Sequence, residues 1–138
     1  MVDETTEFGA RAARRLREEL IGWLTTVDSD GTPRPIPVWF LWDGDSSLLL
    51  YSQPGKAKLR NIERSPKVSL NLDSDRVDAD IVVCVGEAAP SDDPPADRVR
   101  EYIEKYAERI SALRWTPESF AADYSVPLRI TLRRIRGH

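Results

Sequence analysis

The stretch IGWLTTVDSDGTPRPIPVWFLWDGDSSLLLY, Ile21 to Tyr51, decides the fold class. Ile21 to Val27 is a β-rich run, and Asp28-Ser29-Asp30-Gly31 closes it with a turn. Ile36 to Trp42 is the next run. Val38, Phe40 and Trp42 fall on one face, Trp39 and Leu41 on the other, so both faces read as covered. Pro35 and Pro37 cannot donate to a ladder, which puts the start of this run at an edge or a bulge. Asp43-Gly44-Asp45 then turns the chain into Leu48 to Tyr51. Tight turns between successive strands mean antiparallel pairing. Such a meander curls to hide its edges, so the expectation is an antiparallel barrel.

Upstream, Phe8, Ala12, Leu16 and Leu20 recur every four residues and predict a helix over 8–20. Arg11, Arg14, Arg15 and Arg17 share its outer faces with Glu18 and Glu19, as on a solvated surface. Downstream, Lys56 to Arg64 reads as a short helix closed by Ser65-Pro66. Val68, Leu70 and Leu72 alternate with polar residues, and Ile81 to Val85 is a strand apolar on both faces, with Cys84 packed inside it. Asp92-Asp93-Pro94-Pro95 opens a second long helix, with Val99, Tyr102, Ile103, Tyr106 and Ile110 as its buried stripe. Thr116 is placed to cap a further short helix. Leu128, Ile130 and Leu132 form the inner face of a last strand. The expected architecture is mainly β (α+β): about six strands in a barrel, four peripheral helices, and one domain over 1–138.

Composition limits the function classes. Of 138 residues, 41% are hydrophobic, enough for one core, and the net charge is −3. A mildly acidic chain lacks the broad basic face that general nucleic-acid binding needs. The single cysteine, Cys84, excludes an internal disulfide and a zinc ribbon, and the single histidine is the last residue, His138. Met1 to Ala10 is acidic and has no apolar run, so no signal peptide is read there. No apolar stretch of about 18 residues is present for a membrane span. A cytoplasmic location is expected. Asp73, Asp75, Asp78 and Asp80 lack the spacing of a calcium loop and read as a solvated loop. The sequence carries no GxSxG, no P-loop and no GxGxxG. Any demanding chemistry therefore falls to an organic cofactor.

The segment Tyr51-Ser52-Gln53-Pro54-Gly55-Lys56-Ala57-Lys58-Leu59-Arg60-Asn61-Ile62 is where such a cofactor would dock. A strand ends in hydroxyl and amide side chains, a glycine turn follows, and a helix begins with two lysines. Lysines oppose the helix dipole at that end, and a bound phosphate reverses the penalty. Lys58 and Asn61 are three apart and predicted to share one anion, with Lys56, Arg60 and Arg64 on a neighbouring stripe. The plain alternative is an exposed basic helix that balances an acidic chain. Trp39, Phe40 and Trp42 offer aromatic flanks for a planar ring, or ordinary core packing.

Thr25 to Asp28 and Gly31 to Pro33, with Pro37-Val38-Trp39-Phe40, Lys58 to Ile62 and Ser65 to Leu70, resemble the pyridoxamine-phosphate-oxidase-like family. The branch resembled most is the actinobacterial flavin/deazaflavin oxidoreductases, many of which use coenzyme F-420. The resemblance runs well over Leu20 to Leu72 and in general order elsewhere. It implies a six-stranded split β-barrel, a homodimer with cofactor sites at the interface, and coenzyme F-420 or, alternatively, FMN as cofactor. It places the cofactor phosphate at Lys56, Lys58 and Asn61, with Ser52 and Gln53 in the same pocket. The ring then lies along Val38, Trp39 and Phe40. Trp115 and Arg133 are candidates for the second subunit's contribution. Arg11, Arg14 and Arg34 are assigned, from charge alone, to a polyglutamate tail. The implied activity is hydride transfer between the deazaflavin and a small unsaturated or electron-poor molecule. An FMN-dependent oxidase or reductase and a non-catalytic flavin binder are the alternatives. The residues expected for binding pyridoxamine phosphate are missing, which argues against vitamin B6 synthesis.

Overall fold

Gly22–Val27 (β1) turns back into Pro33–Val38 (β2) at Gly31, whose φ of +88° costs an achiral residue nothing. The computed structural model describes residues 1–74 and 80–138. The next hairpin joins Leu41–Trp42 (β3) to Ser47–Ser52 (β4) through the aspartate turn, with Asp43 holding the Ser47 N–H and hydroxyl. Lys67–Asn71 (β5), Val82–Pro90 (β6) and Val126–Gly137 (β7) complete one antiparallel sheet in the order β2-β1-β5-β6-β7-β4-β3.

That order closes the sheet. β2 and β3 are its two margins, yet only Trp39 and Phe40 separate them in the chain. Three Cα–Cα steps span at most about 11 Å. Seven strands laid flat would put the margins about 29 Å apart at ordinary strand spacing. The sheet must therefore curl until its margins meet, which makes a barrel split along the Trp39–Phe40 seam. The expected six strands become seven because the Ile36–Trp42 run breaks at that seam. The Pro35 and Pro37 reading holds: β2 is an edge, paired only with β1. At Gly86 a bulge offsets β6 against β7, and a Cβ there would lie 2.2 Å from the Thr131 carbonyl oxygen.

Helices pack outside. Glu7–Glu18 (α1) starts under the Thr6 cap and buries Ala12, Ala13 and Leu16. Ala57–Arg64 (α2) leads into β5. The predicted second long helix begins later than Asp92: a 3-10 turn at Ala96–Arg98 precedes Arg100–Ala112 (α3). Two prolines at 94–95 withhold backbone donors there. Pro117–Asp123 (α4) has the predicted Thr116 cap, closed reciprocally by Ser119. Arg15 corrects the solvated-face expectation. It is buried and its guanidinium donates to Glu19 and to the carbonyl oxygens of Asp73 and Asp80. Asp75 and Asp78 of the acidic cluster lie outside the described residues. Among those described, no helix is long and apolar enough to cross a membrane.

Two cores result. Leu24, Phe40, Leu48, Leu50, Leu70, Cys84 and Ile130 fill the barrel with the inner face of α1. Leu49 and Tyr51, on the other face of β4, form the second core with Tyr102, Tyr106 and Ile110 of α3 and Phe120 of α4. Strand alternation thus divides β4 between both cores. Burial pushes the Cys84 thiol up to about 12, consistent with packing rather than reactivity.

Candidate functional site

The second core is incomplete. A cavity of about 410 Å³ opens between the β2 margin, the end of β4, the start of α2 and the α3–α4 pair. That volume suits a small organic ligand. Its walls come from Ile36 to Trp39, from Tyr51 and Gln53, from Lys56 and Lys58, and from Tyr102, Ile110, Leu113, Trp115, Phe120 and Tyr124.

One end is basic. β4 runs out at Ser52, Gly55 turns at φ +75°, and Lys56 stands at the N-cap of α2 with extended backbone. No side chain caps this helix. Lys58 is half-buried, and its Nζ donates to Ser52 Oγ at 2.9 Å while that hydroxyl donates to the Gln53 carbonyl at 2.8 Å. Loss of hydration, then the neighbouring Lys56 charge, holds the Lys58 ammonium below its usual range. Among the described residues neither lysine has a carboxylate partner; the ion pairs lie elsewhere. Two like charges at an uncapped helix start favour an anion beside them.

The other walls are aromatic. Trp39 stacks on Tyr106 at 4.5 Å and 6°, and on Phe120 at 5.2 Å and 17°; Phe120 stacks on Tyr124 at 4.7 Å and 11°. The seam sets Trp39 in place. At the seam the Phe40 N–H donates to Tyr106 Oη at 2.8 Å, and Lys105 Nζ donates to the Phe40 carbonyl at 2.8 Å. α3 thus satisfies the backbone that the broken strand leaves unpaired. Lys105 also lies 4.0 Å from the Phe40 ring centroid. Burial lowers its ammonium to about 8, with Glu19 opposing the shift.

Two tyrosine hydroxyls of the second core are tied to backbone carbonyls. Tyr51 Oη donates to the Pro94 carbonyl at 2.5 Å and Tyr106 Oη to the Leu20 carbonyl at 2.7 Å. Tyr102 is wholly buried among these rings. Burial raises the Tyr102 phenol well above its usual range, with Tyr106, Tyr51 and Tyr124 adding to the shift.

Of the residues singled out from sequence, Val38, Trp39, Gln53, Lys56, Lys58 and Trp115 line this one cavity. Ser52 stands behind Lys58, buried, and Gln53 also reaches the Asp123 carboxylate. Phe40 does not face the cavity: its ring is in the barrel core, and only its backbone meets α3. The predicted sharing of an anion by Lys58 and Asn61 is not what the structure shows. Asn61 is buried against β1, donating to Thr26 Oγ1 at 3.0 Å and Asp28 Oδ1 at 3.1 Å, and accepting from Arg64 at 2.8 Å. Lys56 joins the cavity, whereas Arg60 and Arg64 line a separate polar hollow with Arg34. Arg133 is exposed on β7 and pairs with Glu87 at 2.9 Å. Arg11 pairs with Asp80 at 2.7 Å and Arg34 with Asp28 at 3.6 Å, while Arg14 is exposed. Sequence reading passed over Tyr51, Tyr102, Phe120 and Tyr124 as lining residues. A signal existed: of four tryptophans, four tyrosines and three phenylalanines in the chain, five fall between 102 and 124.

The chain was compared with known proteins. No curated protein sequence matches it. Solved structures do. A protein titled F420 reductase is 25% identical, with 89% of this chain and 94% of that one covered and a TM-score of 0.64. A conserved hypothetical protein from Mycobacterium tuberculosis is 26% identical over 95% of this chain and 82% of its own, with a TM-score of 0.69. A FAD-binding protein from Mesorhizobium loti, 18% identical over 91% and 88% of the two chains with a TM-score of 0.64, shares the fold. The pyridoxamine 5'-phosphate oxidase profile matches residues 8–138, from α1 through β7, so that barrel, seam and cavity all fall within it, and the chain belongs to the pyridoxamine 5'-phosphate oxidase family.

Proposed function

We propose that the cavity holds a phosphorylated deazaflavin, coenzyme F-420, and that the protein is a reductase of small unsaturated or electron-poor organic molecules. The observation that carries this reading is the pairing of Lys56 and Lys58, both without an acidic partner among the described residues, with the Trp39 wall in one cavity. The fit is chemical at both ends. An anion relieves the mutual repulsion of the lysines, and a flat ring finds near-parallel aromatic faces. Similarity to the F420 reductase favours the deazaflavin over FMN.

Bound there, the coenzyme supplies a hydride donor. The chain supplies the rest. Lys58, steadied by Ser52, and Lys56 hold the phosphate. Trp39 orients the ring because Tyr106 and Lys105 fix the seam beneath it. The α3–α4 aromatics keep water from the reacting face. The family resemblance extends the reading to a homodimer with a cofactor site at each side of the interface.

Titration of the purified protein with F-420 and with FMN, followed by tryptophan fluorescence, tests it. Trp39 and Trp115 both line the cavity and serve as reporters. Tight F-420 binding with no response to FMN is expected. A protein that purifies yellow would instead assign FMN, and silence toward both coenzymes would remove the oxidoreductase reading.

A further inference from the structure

We propose that the main-chain carbonyl of Pro37 accepts a hydrogen bond from the ligand in the cavity, and so selects a planar ring with an N–H on its rim, as in a cyclic imide. The inference rests on the coenzyme reading and names the part of the coenzyme that the β2 margin recognises.

The β1–β2 hairpin fixes which way each backbone group of β2 points. Asp28 N–H donates to the Thr32 carbonyl at 2.8 Å and Gly31 N–H to the Asp28 carbonyl at 2.9 Å, so a bulged turn closes on an inward pair at 28 and 32. Beyond such a pair, opposed residues alternate between exchanging hydrogen bonds and turning away. Arg34, Ile36 and Val38, opposite Thr26, Leu24 and Gly22, therefore bond to β1. Pro33, Pro35 and Pro37, opposite Val27, Thr25 and Trp23, point their backbone off the sheet. β2 has no second neighbour strand, and proline has no N–H. Its free margin is a row of carbonyls without one donor. An added strand needs both donors and acceptors from an edge, so this margin refuses one. A ligand that donates fits it.

Of the three prolines, Pro37 lines the cavity. β4 pairs with β3 at Leu48 and Leu49, so Tyr51 and Gln53, further along β4, stand across the open split from the β2 margin. Trp39, two residues on from Pro37, supplies a flat face in the same cavity. A ring laid there turns its rim to the strand edge. A rim oxygen would meet the carbonyl oxygen and be repelled, whereas a rim N–H completes it. The pyrimidinedione of a deazaflavin carries such an N–H between its two carbonyls.

The test uses full-length protein whose prolines carry a carbon-13 carbonyl, titrated with F-420, with the deazaflavin riboside, with its N3-methyl derivative and with lumazine. The N3-methyl derivative should bind about tenfold more weakly than the riboside, the scale of one hydrogen bond. Infrared difference spectra should show a labelled proline carbonyl moving to lower frequency when the riboside binds, and no such movement with the N3-methyl derivative. Pro37→Ala keeps a carbonyl at that position but takes its label away, so with the riboside at saturation the moving band should be absent. Pro35→Ala should keep it. Both prolines are exposed on the margin, and a thermal melt confirms that each variant is folded. Equal affinity for the N3-methyl derivative, or a moving band that survives in Pro37→Ala, would overturn the proposal. Two further outcomes separate it from the coenzyme reading. F-420 binding with every proline band stationary removes the role of Pro37 and leaves the coenzyme in place. A band moved by lumazine, a cyclic imide that is no deazaflavin, in a protein that does not bind F-420 removes the coenzyme reading alone. A protein that binds none of the four overturns both.

Discussion

Lys58 is held in the folded chain against its own electrostatics, half-buried and beside another ammonium. Lys58→Ala should therefore change the stability of the ligand-free protein little, within about 0.5 kcal/mol. It should weaken binding of the phosphorylated coenzyme by about 1.5–3 kcal/mol, the worth of a hydrogen bond to a charged group. The deazaflavin riboside, which lacks the phosphate, should bind both proteins alike, and unchanged affinity for the phosphorylated form would remove Lys58 from the site. Lys105 makes a prediction about pH. Its folded pKa is about 8 against 10.5 for a free lysine, so between those values the unfolded chain holds the extra proton. Stability then rises with pH across that window. Relative to Lys105→Met, the wild type should gain stability in urea unfolding as pH climbs from 8 toward 10.5; a flat difference would contradict the burial cause. Lys58 was legible in the sequence because a strand end, a glycine and a lysine pair are neighbours in the chain. Asn61 was misread. Periodicity places it near Lys58, but Thr26 and Asp28, about 35 residues earlier, decide where its amide turns.

At the scale of elements the informative feature is the strand that breaks at Trp39–Phe40. Tyr106 accepts the Phe40 N–H and donates to the Leu20 carbonyl, so one side chain of α3 closes two backbone gaps. Tyr106→Phe leaves a buried N–H unsatisfied and should cost about 1–3 kcal/mol in urea unfolding, with an unchanged m value. The faces of this strand were legible: Phe40 and Trp42 enter the barrel, while Trp39 and Leu41 face α3, as alternation requires. The break was not legible. What permits it is the arrival of Tyr106 and Lys105, some 65 residues later in the chain. The same holds for the aromatic wall. Tyr102, Tyr106 and Ile110 were read as a burial stripe, which they are, but a helix pattern does not say that the stripe covers a cavity.

For the whole molecule, turn chemistry and alternation were enough to give an antiparallel barrel with outer helices, because each hairpin is local. Strand order was not, since β1–β5 and β4–β7 pairing joins distant segments. The proposed homodimer belongs to this scale as well. Sedimentation of the purified protein should give twice the chain mass, and a monomer that still binds coenzyme would show that one copy suffices. The barrel seam, finally, sets where the chain can change length. The turns at Gly31 and Gly44 reach into open space, and residues added there lengthen a loop. One residue added or lost between Val38 and Leu41 instead rotates everything on one side of it by half a period. Trp39 would then be pointed at the barrel interior or Phe40 at the cavity, so insertions and deletions among relatives that keep this cavity should fall at the hairpin tips and spare the seam.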